Sequence, residues 1–208
     1  MPPSMVVCVA EKIRKGNNKM GKCTDCKNLV FSSEMKKKII FLDIDGVLNS
    51  KAYFDSIKES EILATEKIHI EISEYHVKLL SELCHACDAK IVLASTWKEL
   101  DDPSNSKAYC MYQYLVDMLA QYDMEILDKT PTINGCRPYE IFMWLQARND
   151  KNEIQAVILD DDFNRSEYQK YGLENILVQT KFFVNKISDG GLQQKHVSEA
   201  IHILNERK

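Results

Sequence analysis

The sequence predicts an α/β fold: a mostly parallel sheet with helices on both faces. Three observations carry this. Strand-like and helix-like segments alternate from residue 39 onward. The clearest strands, Ile39–Leu42, Ile91–Ala94 and Ile154–Leu159, are apolar runs broken only by Gln155, as expected of strands covered on both faces. Each runs into a polar cluster: Asp43-Ile44-Asp45, Ser95-Thr96-Trp97-Lys98 and Asp160-Asp161-Asp162. In a parallel sheet these ends share one edge, where α/β folds bind ligands.

The elements follow in order. Residues 1–35 mix Pro2-Pro3 and Gly16-Asn17-Asn18 with scattered charge and no sustained period, which reads as a flexible or weakly ordered extension. A single domain is expected over residues 36–208, a length ample for one buried core. Ser73 starts a helix to about Cys87, with Val77, Leu80, Cys84 and Cys87 at helical spacing. Residues 107–121 read as a helix, Met124–Leu127 as a strand and Arg137–Arg148 as a helix. Pro138 falls in the first turn of that helix, where its missing N–H costs little. Ile176–Val178 is a last short strand, and Lys195–Asn205 a closing helix carrying Val197, Ile201 and Leu204. The segments Asn49–Ile72 and Lys98–Leu127 are long for plain connections, so either is a candidate loop or small cap over the site. Neither has the pattern of a large cap domain.

Composition narrows the function. With 27 basic and 31 acidic residues the net charge is −4, which is no footprint for tight non-specific nucleic-acid binding. No apolar stretch has the length of a membrane span, and the first thirty residues lack a signal-peptide core. Seven cysteines, an odd number, point to reduced thiols and a cytoplasmic compartment. Cys23-Thr24-Asp25-Cys26 and Cys84-His85-Ala86-Cys87 both have zinc-knuckle spacing. The second pair lies on the apolar side of a helix, however, where buried free cysteine is common.

Two carboxylates at the end of a buried strand are costly unless something offsets their charge. A divalent cation does so, and points to phosphoryl chemistry. One carboxylate can attack phosphorus to form an aspartyl-phosphate, and a second can move the protons. A hydroxyl and a cationic side chain can hold phosphate oxygens. Each residue type also has a plain structural use. Ser95-Thr96 can cap a helix, Asp160–Asp162 can form a solvated turn, and Arg137 can pair with Glu140 on its own helix. Trp97 and Trp144 read as core or rim residues.

Three motifs occur together in order: Asp43-Ile44-Asp45-Gly46-Val47, an apolar strand ending in Ser95, and Ile158-Leu159-Asp160-Asp161. This resembles the haloacid dehalogenase (HAD) superfamily of phosphatases and phosphotransferases. The wording FLDIDGVLN, IVLASTWK, Thr130-Pro131 followed by Arg137-Pro-Tyr-Glu-Ile, LDDD and Gly191-Leu192 is closest to the HAD domain of "Swiss Army Knife" RNA-repair proteins. The resemblance covers roughly residues 38–205. It implies a three-layer, Rossmann-like fold and a magnesium-dependent phosphatase. Asp43 would be nucleophile and metal ligand. Asp45 would be the general acid/base, giving its backbone carbonyl to the metal. Ser95, or Thr96 one position on, would bind phosphate. Asp161 would ligate Mg2+, with Asp160 supporting it or sharing the role. The family's third motif is a lone basic residue. Arg137 is favoured, with Lys98 and Lys129 as competitors, and an arginine there replaces the usual lysine. Phosphorylated RNA or DNA ends are the partners the resemblance implies. The competing expectation is a catalytically weak or inactive HAD-like module that binds phosphorylated ligands or nucleic-acid ends.

Overall fold

The computed structural model describes residues 36–59 and 71–206. The expectations for residues 1–35, including Cys23 and Cys26, lie outside the described residues.

The chain alternates as expected. Strand β1 (Lys37–Leu42) is followed by α1 (Lys51–Glu59) and α2 (Glu74–Cys87). Then come β2 (Ala89–Leu93), a 3-10 turn (Thr96–Leu100), α3 (Ser106–Ala120) and β3 (Ile126–Lys129). Next are α4 (Arg137–Gln146), β4 (Ile154–Asp160), α5 (Arg165–Gln169), β5 (Leu177–Gln179) and α6 (Gln194–Asn205). The strands form one five-stranded sheet, order β3-β2-β1-β4-β5, with every neighbour parallel.

Side-chain alternation along β1 divides the core in two. Ile40 and Leu42 face one cluster, built with Leu80 and Leu83 of α2, Leu115 and Leu119 of α3, and Val197 and Leu204 of α6. Ile39 and Phe41 face the other, built with Ile141 and Trp144 of α4 and Tyr168 of α5. Phe41 meets Trp144 edge to face, ring centroids 5.2 Å apart. Both faces of the sheet are therefore covered, which is why its central strands read as nearly continuous apolar runs. Cys84 and Cys87 are buried free thiols on the core side of α2. Among the described residues no helix is long and apolar enough to cross a membrane.

Three local readings are corrected. The strand expected at Met124–Leu127 begins two residues later. Asp123 takes a left-handed φ of 56° and the Met124 N–H bonds to the Leu119 carbonyl, so Met124 closes α3. The segment Lys98–Leu127 is no cap: α3 packs Leu115 and Leu119 into the core as the crossover from β2 to β3. Helix α5 went unread because five residues carry no periodic pattern. Its signature is a capping box, in which the Asn164 side chain accepts from Glu167 N–H and Glu167 Oε2 accepts from Asn164 N–H.

Strand ends continue the ladder past the sheet. Asp43 N–H bonds to Leu159 O, Ala94 N–H to Leu42 O, Thr130 N–H to Leu93 O and Thr180 N–H to Asp160 O. These bonds hold the residues after β1 to β5 in register along one edge.

At the other end of the chain, His196 Nδ1 accepts the Gln193 N–H at 3.1 Å, which requires a neutral ring nitrogen. Burial, aided by Lys195, lowers its pKa from 6.5 to about 4. The unfolded chain then takes up a proton below pH 6.5 that the folded chain refuses. Stability from this group is complete above that value and lost as pH falls toward 4. Replacing His196 with Gln should therefore flatten the decline in urea-unfolding stability between pH 7 and pH 4.5. An unchanged decline in the variant would show that another group drives it.

Candidate active site

Asp43 is the first residue beyond β1 and is almost wholly buried. Its Oδ1 accepts the Ile44 N–H at 2.8 Å, and its Oδ2 lies 2.7 Å from Arg137 Nη1. The nearby Ser95 side chain favours its ionised form. Burial pushes the Asp43 carboxyl up to about 7, opposed by Arg137 and reinforced by Asp160.

Arg137 opens α4, and the same Nη1 bridges to Asp160. The guanidinium thus ties β1 to β4 through carboxylates at both strand ends, with the Phe163 ring 5.3 Å from its centre. The alternative Arg137–Glu140 pairing does not occur among the described residues. Glu140 instead takes Lys98 Nζ at 2.6 Å and the Ile133 N–H at 2.7 Å. Lys98 also donates to Thr130 Oγ1 and the Pro131 carbonyl. The buried Lys98–Glu140 pair fastens the first turn of α4, and with it Arg137, to the segments after β2 and β3. Lys129 lies apart, paired with Asp101 and 4.2 Å from the Tyr112 ring centre.

Asp160 is fully buried. Its Oδ1 takes Arg137 and the Asp162 N–H, and its Oδ2 takes the Tyr168 hydroxyl. Both oxygens are engaged, so Asp160 is poised to support rather than to bind. Asp161 is more open. Burial first, then Asp160 and Asp162, pushes its carboxyl up to about 6. Gly46 lets it approach: a Cβ there would lie 2.0 Å from Asp161 Cγ, and the Gly46 φ of 76° also disfavours side chains.

Asp45 is exposed, and its two oxygens are held by two different segments. Asn49 Nδ2 donates to Oδ1 at 2.8 Å and Trp97 Nε1 to Oδ2 at 3.0 Å. Trp97 is buried, as read, yet its indole also orients an acid at the site. Ser95 is buried and accepts the Trp97 N–H at 3.4 Å, so it caps a 3-10 turn close to Asp43. Thr96 is exposed, with no bond to the cluster among the described residues. Tyr168 and Thr180 carry no sequence signal for their roles, the only signal at Asn49 is its place in the first motif, and Glu140 binds Lys98 rather than its helix neighbour Arg137.

Asp43, Asp160 and Asp161 each offer an oxygen, all within 4.8 Å of one another. Against these three carboxylates Arg137 supplies one positive charge. Burial first, and the neighbouring carboxylates after it, raise Asp43 and Asp161, and hard oxygen donors are what Mg2+ prefers. The residues present therefore fit a divalent cation.

The family model for the HAD domain in Swiss Army Knife RNA repair proteins matches residues 39–197. The chain belongs to this family. No curated protein and no solved structure matches it. The observed parallel α/β sheet is the HAD Rossmann-like arrangement, and membership makes a HAD-type hydrolase the general expectation for this domain.

Asp161 supplies a test that does not depend on turnover. Its carboxyl rises from 3.8 to about 6 on folding, so in metal-free protein its contribution favours the fold at low pH and is lost as pH rises through 6. Asp161→Asn should stabilise metal-free protein at pH 8 by about 1 kcal/mol after solvent screening, and by less at pH 5. Millimolar Mg2+ should raise the melting temperature of the wild type, and the same change should abolish that rise. An unchanged Mg2+ response would remove Asp161 from the metal site.

Proposed function

We propose that this domain is a magnesium-dependent phosphatase that hydrolyses phosphomonoesters through an aspartyl-phosphate, with phosphorylated nucleic-acid ends as its substrates. The observation that carries the reading is the convergence of Asp43, Arg137 and Asp161 on one sheet edge beside an independently oriented Asp45. The family's RNA-repair setting supports the substrate class.

Asp43 attacks phosphorus while its carboxylate is steered by the Ile44 N–H, with the Ser95 side chain nearby. Arg137 stands beside the nucleophile and holds phosphate oxygens in a planar fork, which a lysine cannot do. Asp45, locked by Asn49 and Trp97, protonates the leaving oxygen. It then takes a proton from the water that attacks the aspartyl-phosphate, which releases phosphate and restores Asp43. Asp43, Asp161 and the Asp45 carbonyl, with Asp160 in support, would hold Mg2+, whose positive charge would let an anionic phosphate approach anionic acids.

One observation favours a second reading. Arg137 already spans Asp43 and Asp160, and a guanidinium so engaged also suits a module that holds phosphorylated ends without turnover. Phosphate release from a non-aromatic phosphomonoester and from phosphorylated oligonucleotides, with and without Mg2+, separates the two. The phosphatase reading expects Mg2+-dependent release, lost in Asp43→Asn and lowered about 10²- to 10⁴-fold in Asp45→Asn. Retained release in Asp43→Asn would contradict it, and Mg2+-dependent binding with no release would establish the binding module.

A further inference from the structure

The loop after β5 carries a feature that the catalytic cluster does not use. Phe183 is 84% exposed, far more than any other large hydrophobic residue exposed among the described residues. Lone exposed hydrophobics are ordinary, but this one ends a chain of rings. Phe183 packs edge to face on Phe182, centroids 5.0 Å apart, and Phe182 lies 6.2 Å from Phe54 of α1. Phe54 in turn meets Tyr53 at 5.6 Å. The half-buried rings brace Phe183 and leave its outer surface open.

The loop is also anchored at the catalytic edge. Thr180 Oγ1 donates to the Gly46 carbonyl at 2.6 Å, within the Asp43–Gly46 motif. The Lys51 N–H bonds to the Phe182 carbonyl, and the Gly191 N–H to the Lys181 carbonyl, each at 3.0 Å. At Gly190 a Cβ would lie 2.4 Å from Val184 Cγ2 and 2.6 Å from Ser50 Cβ, so the loop sits directly on the segment that follows the first motif. Phe183 is three residues from Thr180, at most about 11 Å of chain. In the sequence Lys181 and Lys186 flank the rings; both are exposed and have no acidic partner among the described residues. An open aromatic face between cations is how single strands are gripped: bases stack on the ring and cations track the backbone, independent of sequence. The overall charge of −4 does not oppose this, because the cations are local.

Resting on the phosphatase reading above, we propose that Phe183, braced by Phe182 and flanked by Lys181 and Lys186, is a stacking platform for a base near the phosphorylated end of a single-stranded nucleic acid. The platform makes single-stranded ends, with bases splayed out, the preferred substrate class over blunt duplex ends, whose bases remain stacked on each other.

The test is a two-by-two comparison. Wild type and Phe183→Ala are each given a terminally phosphorylated trinucleotide and an abasic trimer of the same length, charge and phosphate position. Phe183→Ala should raise KM for the trinucleotide about tenfold, leave kcat in place, and make no difference with the abasic trimer. Phe183→Trp should restore the trinucleotide KM. An equal KM for both proteins on the trinucleotide, or an equal loss on both substrates, would overturn the platform. Should the wild type release no phosphate, the phosphatase reading fails by itself. Fluorescence anisotropy with the same labelled trimers then decides the platform: weaker trinucleotide binding by Phe183→Ala that disappears with the abasic trimer supports it, and equal binding overturns it.

Discussion

A charge imbalance at the end of a buried strand governs this structure. Asp43 and Asp160 are taken out of water on adjacent strands, Asp161 stands close by, and Arg137 alone answers them with a full positive charge. Carboxylates in such a setting resist ionisation, as the upward shifts at Asp43 and Asp161 record. A fold selected for stability alone would more economically place apolar residues there. Retaining acids at this edge is intelligible if something positive arrives, and the two negative charges left uncompensated equal those of one divalent cation.

Much of the surrounding structure holds this arrangement in place. The parallel sheet brings the ends of β1, β2 and β4 to one edge. Asp160 is satisfied on both oxygens, which leaves Asp161 to face the cluster. The guanidinium of Arg137 depends on where α4 begins, and that start is tied down by a second buried pair, Lys98 with Glu140. Thr180 fastens the carbonyl of Gly46, and the missing Cβ of Gly46 makes room for Asp161. Asp45 is treated differently. It is exposed, accepts from two neutral donors, and has no cationic partner among the described residues.

The fold was legible because its central strands are covered on both faces and read as nearly continuous apolar runs. The site was legible where chemistry sits at strand ends: Asp43, Asp45, Ser95, Asp160 and Asp161 are all one to three residues past an apolar run. Arg137 was harder, since a lone basic residue between two strands has no motif, and only the placement of α4 sets it against Asp43. Lys98 shows the reverse. Its position after β2 suits a phosphate ligand, yet Glu140, 42 residues away, claims its charge. Thr180 was invisible for a similar reason, since its partner Gly46 lies 134 residues away, and Tyr168 because its helix was not legible. Helix α5 and the shifted start of β3 were lost to short-range geometry, a capping box and a left-handed Asp123, that hydrophobic period does not encode.

The proposed role of Asp43 is nucleophile and acceptor of the phosphoryl group. It is tested most directly by trapping the intermediate. Asp45→Asn protein is mixed with acetyl phosphate and Mg2+; acetyl phosphate has a good leaving group and needs little acid help. The mixture is then acid-quenched and reduced with borohydride, which converts an aspartyl-phosphate to homoserine. Peptide mapping should find homoserine at position 43. Phosphate release by the wild type under the same conditions, with position 43 unmodified or the phosphoryl group on another side chain, would contradict the claim.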